Sequence, residues 1–163
     1  MRTKLFLTIA VIMLLGTADV HAQRMATYQK QAIECLGVEG DGSQTLRVTG
    51  TGRNKADAVE QAKKDAVMAV IFTGIRGGLN GCDARPLLNE LDARDKYDEY
   101  FNIFFMDKGE YSKYVSMEDR KLRSNDKSKN KLFKNYRVTV RVLRSELKDR
   151  LKADGVLRES DKW

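Results

Sequence analysis

The stretch QTLRVTGTGRNKADAVEQAKKDAVMAVIF, residues 44–72, changes its period halfway. From Gln44 to Thr49 the pattern alternates. Leu46 and Val48 take one side and Thr45, Arg47 and Thr49 the other, which is the signature of a half-buried strand. Gly50-Thr51-Gly52 stops it. Asn54 is then placed to cap a helix, with Asp57 in the first turn, where the helix dipole favours negative charge. Ala58, Ala62, Ala66, Ala69 and Val70, joined by Val59, share one helical face, while Lys55, Lys63, Lys64 and Asp65 fall largely on the other. Alanines at four-residue spacing let a helix backbone lie close against a sheet.

Downstream, Gly74, Gly77, Gly78 and Gly81 mark residues 73–85 as a loop, and Pro86 suits the first turn of a new helix. Tyr97, Tyr100, Phe101, Phe104 and Phe105 recur at helical spacing, predicting a helix over 92–106 with these rings in the core. Residues 111–117 read as a strand, and the charged run EDRKLRSNDKSKNK, 118–131, as a solvated loop. Residues 133–143 read as the clearest strand, with Tyr136, Val138, Val140 and Val142 on one face and Arg137, Thr139 and Arg141 on the other. Ser145 is placed to cap a last helix carrying Leu147 and Leu151, closed by Gly155. Residues 32–36 fit a short helix or an edge strand equally. The order predicts an α+β two-layer domain, a small, mainly antiparallel sheet with helices packed on one face.

The chain opens with the layout of a secretory signal. Arg2 and Lys4 precede an apolar run from Leu5 to Leu15 broken only by Thr8, and Val20-His21-Ala22 ends on a small residue. That run is about half the roughly 20 residues a permanent transmembrane helix needs. The expectation is cleavage after Ala22 and a single domain over 23–163, best defined over 44–157. The product would be exported, to the periplasm or the cell surface, and no later segment approaches a membrane span. Gln23 would begin the mature chain, so a lipid-bearing cysteine is not expected there.

Export removes His21, the only histidine. The remaining chain then lacks the residue that Ser-His-Asp and Cys-His catalysis, histidine-based zinc sites and imidazole switches require. No catalytic residue, cofactor site or metal site is predicted. Cys35 and Cys82 are the only cysteines, and an even count in an oxidising compartment predicts one disulfide between them. After removal of the signal, 28 Lys and Arg face 22 Asp and Glu, a net charge of +6. This balance favours acidic proteins or anionic surface polymers as partners, and export makes nucleic acid an unlikely one.

Val48-Thr49-Gly50-Thr51-Gly52, the alanine-faced helix after it and the late strand Val138-Thr139-Val140-Arg141-Val142 resemble a known module over residues 44–143. It is the strand–helix–strand–strand module of the N-terminal part of the flagellar T-ring assembly protein and of the related twenty-kilodalton outer-membrane lipoprotein family. The resemblance implies an exported envelope protein that acts by assembly and adhesion, without a catalytic site. Four residues stand out as contact candidates. Arg47, Arg137 and Arg141 share the outward parity of their strands and, on neighbouring strands, would form a basic patch, which Lys113 would extend. Such a patch would suit an acidic glycan or another anionic polymer. Gly50-Thr51-Gly52 lacks the third glycine of a dinucleotide fingerprint and the Gly-Lys-Ser/Thr ending of a phosphate loop, so a strand-to-helix turn accounts for it.

Overall fold

The computed structural model describes residues 33–79, 81–118, 123–124 and 134–158. The signal segment, residues 23–32 and most of the charged run 118–131 lie outside the described residues. The fold class is the one the sequence predicts, α+β with helices on one side of a sheet. The strands are β1 (Glu34–Val38), β2 (Gln44–Gly52), β3 (Gly77–Gly78), β4 (Val115–Met117), β5 (Arg123–Ser124) and β6 (Lys134–Val142). The helices are α1 (Lys55–Phe72), α2 (Ala93–Lys96), α3 (Asp98–Phe104) and α4 (Arg144–Ala153), with a 3-10 turn at Glu110–Tyr114. The sheet order is β3-β1-β2-β6-β4, and β5 also pairs with β6. All pairings are antiparallel except β1 with β3.

The β2–β6 ladder aligns Leu46 with Val140 and Val48 with Val138. All four are fully buried under α1, which packs on both strands. The residues between them, Arg47, Thr49, Arg137, Thr139 and Arg141, lie half-buried or exposed on the open face. Burial thus follows the two-residue period of the strands. Cys35 also points into the core, opposite Leu46.

Gly50 and Gly52 decide how close α1 comes to the sheet. A Cβ on Gly50 would sit 1.8 Å from the Ala58 carbonyl oxygen, and one on Gly52 would sit 2.4 Å from the Ala58 amide. The helix backbone occupies the space a phosphate would need, so these glycines serve packing. Asn54 caps α1 as expected, its side chain accepting from the Asp57 amide at 3.0 Å.

Several local expectations change. Of the stretch left open at residues 32–36, Glu34 onward is a strand, β1, and Ala32 lies outside the described residues. Pro86 starts no helix; the segment after it docks on the end of α1, with the Leu87 and Leu88 amides donating to the Val70 and Ile71 carbonyls at 3.0 and 2.9 Å. Those are carbonyls that the end of α1 leaves without partners of its own. The helix expected over 92–106 breaks at Tyr97 into α2 and α3. Between Ala93 and Phe101 only Tyr97 and Tyr100 turn inward, both half-buried, so little apolar surface holds that turn to the core.

Residues 110–114 form the 3-10 turn instead of a strand. This buries Tyr111, whose hydroxyl donates to Glu60 on α1, and stacks Tyr114 near Phe104. Ser145 does not cap α4. The Leu143 amide stays bonded to Tyr114 at the end of the β-ladder, and α4 begins at once with Arg144. The Ser145 hydroxyl reaches the Asp41 carbonyl instead. At the other end, Gly155 has φ +72°, and Val156 and Gly155 donate to Leu151 and Lys152 in the Schellman pattern. Leu147 and Leu151 are fully buried, as expected.

Asp65 departs most from its expected place. It is 7% exposed on α1, where solvent contact was predicted. Asp65 follows Ala58 by seven positions and precedes Ala69 by four, so it lies on the buried alanine face itself, and the buried stripe of α1 also takes in Val67 and Ile71. Burial raises the Asp65 carboxyl from the ordinary 3.8 to about 6, against the hydrogen bond from Gln61 and the nearby Lys64 charge.

Two outcomes follow from this packing. Gly50→Ala should lower unfolding free energy by at least about 3 kcal/mol in urea titration, because the new methyl meets helix backbone that has nowhere to move. A melt matching the parent would mean α1 does not lie here. The folded state holds the Asp65 proton more tightly than the unfolded chain, so ionisation of Asp65 weakens the fold as pH rises from about 4 through 6. Asp65→Asn should therefore stabilise the protein by about 2–3 kcal/mol at pH 8 and by little at pH 4. Equal effects at both pH values would contradict the burial.

Candidate functional site

The sequence nominated the open sheet face. The ladder sets Arg141 opposite Thr45, Arg47 opposite Thr139 and Arg137 opposite Thr49. The three arginines therefore share one face, with Arg47 diagonal to the other two, at the spacing where long side chains meet. Their charges are largely answered from within the chain. Arg47 pairs with Glu34 of β1 at 3.1 Å, and Arg141 lies between Glu118 at 3.4 Å and Glu39 at 3.7 Å. Only Arg137 is exposed without an ion pair among the described residues. Exposed pairs of this kind add little stability, but they lower the pull on an incoming anion.

Lys113 does not extend the patch. It lies in the 3-10 turn, which packs against α1, α3 and α4 in the helical layer, and it pairs with Glu110 at 2.7 Å. The strand expected at 111–117 would have carried Lys113 onto the sheet; the burial of Tyr111 prevents it.

Cys35 and Cys82 form a disulfide, as predicted. It anchors the segment after β3 to β1. The same segment is held by the Ile75 amide on the Asp83 carbonyl and by Arg144, which reaches Asp83 at 2.8 Å and the Arg85 carbonyl at 3.2 Å. Burial raises the Asp83 carboxyl, but the Arg85 amide and the Arg144 guanidinium outweigh it and leave it below its ordinary value. Beside Arg144 lies a small polar hollow of about 520 Å³, edged by Gln44 and Lys148.

These ties build the wall of a larger feature that the sequence did not single out. An open groove of about 980 Å³ runs along the C-terminal end of α1. Met68, Phe72, Ile75 and Leu88 give it an apolar floor, and Ile33 and Gly77 form the sheet-side edge. Leu91 stands fully exposed on its rim. Three charged residues line it. Glu90 is neutralised by Lys96 at 2.6 Å, whereas Arg76 and Arg94 are exposed and have no ion pair among the described residues. The groove is thus apolar below and positive above. The run Ile75-Arg76 amid glycines was the available signal, but no periodicity links it to residues 86–94.

The remaining chemistry is sparse. Among the described residues, no group of three or more His, Cys, Asp or Glu is placed to hold a metal, and no helix is long and apolar enough to cross a membrane. The aromatic stripe is chiefly core: Phe101, Phe104 and Phe105 are buried, and Tyr100 donates to Asp154 at 2.7 Å, joining α3 to the end of α4. Comparison with protein-family models, curated proteins and solved structures found no match to this chain.

Replacing Cys35 and Cys82 with alanine should cost about 2–4 kcal/mol, since the bridge closes a long loop in the unfolded chain. Hydrogen exchange should rise first at the amides of Leu87 and Leu88, because the segment that caps α1 loses its anchor. Exchange that rises evenly across the whole fold would separate the disulfide from the groove wall.

Proposed function

We propose that this chain is a non-enzymatic, exported cell-envelope protein that works by contact with a protein or a surface. The observation that carries the reading is the groove. It combines an apolar floor, an exposed leucine at the rim and two guanidiniums without an ion pair among the described residues. Exposed apolar surface with a polar border is typical of sites that another molecule covers. The signal-like first 22 residues, the loss of the sole histidine with them and the resemblance to the envelope-assembly module point the same way. The oxidising compartment they imply is one in which a Cys35–Cys82 bridge persists.

A second reading, binding of an acidic glycan or another anionic polymer, draws on Arg137, exposed beside Arg47 and Arg141 on the open face. Competition from Glu34, Glu39 and Glu118 makes that face the weaker site.

A photo-crosslinking residue at Leu91, compared with one at Thr49 on the sheet face, separates the two readings in intact cells. Adducts from Leu91 that persist in high salt are expected, because a packed apolar contact is screened far less than an exposed charged one. Adducts from Thr49 alone, lost in salt, would transfer the function to the arginine face. Silence at both positions would contradict the contact reading.

A further inference from the structure

We propose that the groove holds a single-chain amphiphile whose head is a phosphate. The inference rests on the contact reading above and deepens it by naming the occupant. The floor formed by Met68, Phe72, Ile75 and Leu88 offers an alkyl chain continuous apolar surface, and the volume of about 980 Å³ falls in the range of small-molecule sites. The groove is open along one side, so a flexible chain can lie in it without the fold opening.

Charge selects the head. Arg76 and Arg94 supply two guanidiniums to the lining, and the only carboxylate there, Glu90, is held by Lys96. Counting Lys96 with the lining, three cations face one carboxylate, an excess of two positive charges. A phosphate monoester, with about −1.5 to −2 charge near neutrality and three acceptor oxygens, matches that excess better than a single carboxylate. Planar guanidinium forks suit its geometry. The arginines of the sheet face meet acids of their own chain and offer no comparable apolar floor.

The probe is decyl phosphate, used below its micelle concentration with the full-length, disulfide-bonded protein. Calorimetric titration should give one site, with decanoate binding several-fold more weakly and decyltrimethylammonium not binding. Arg76→Glu combined with Arg94→Glu should weaken decyl phosphate by about tenfold or more, since it replaces two cations of the lining with two anions. Both side chains are exposed, so the variant should keep its melting temperature. Arg137→Glu, on the opposite layer, should leave binding unchanged.

Equal affinity for the three probes, or a loss caused by Arg137→Glu in place of the groove variant, would overturn the proposal. Protein adducts from Leu91 with no binding of decyl phosphate would overturn it while leaving the contact reading standing. Absence of both would remove the two together.

Discussion

The close approach of α1 to the sheet sets the rest of the structure. Two glycines in β2 leave room for the first turns of the helix, and Ala58 and Ala62 keep its inner face flat. A side chain at either glycine would collide with helix backbone, which cannot rotate away as a flexible side chain does. With α1 held at that distance, Leu46, Val48, Val138 and Val140 are sealed from water, and the far end of the helix is carried to the edge of the sheet beside β1 and β3. There its last carbonyls must find donors. The Leu87 and Leu88 amides supply them, and the disulfide and Arg144 keep that segment in place. The groove is what remains between the helix end, the sheet edge and the segment that caps them.

Electrostatics distinguishes the two exposed surfaces. The arginines of the open face are neighbours across β2 and β6, but acids from β1 and from the ends of adjacent strands stand beside two of them. In the groove the balance is reversed, since its single carboxylate is already paired and neither guanidinium has an ion pair among the described residues. A net charge of +6 over residues 23–163 says nothing about which surface binds; the placement of the acids does.

The layer architecture was readable in the sequence because it rests on two periods. Alternation in residues 44–49 and 133–143, and the alanine spacing from Ala58 to Ala69, each reflect one buried face. The disulfide followed from cysteine parity and the inferred compartment. What the sequence concealed depends on non-local partners. Pro86 looked like a helix start because nothing nearby reveals that Leu87 and Leu88 donate to α1. Tyr111 and Lys113 looked like strand residues until the buried tyrosine found Glu60, fifty-one positions away. Asp65 is a different case: its charge suggested solvent, although seven positions after Ala58 and four before Ala69 it shares the buried alanine face. The groove draws on three separated segments, and a periodic pattern within any one of them cannot disclose it.

The resemblance to envelope-assembly modules and the groove support one proposal, an exported body that offers an apolar, positively bordered surface to its surroundings. Chemical-shift mapping tests this most directly: isotope-labelled, disulfide-bonded protein titrated with a detergent-free extract of the native envelope. The account predicts perturbed amides clustered over residues 68–77 and 86–94. Perturbations confined to Thr45, Arg47, Thr49 and Arg137, with the helix end unmoved, would contradict it.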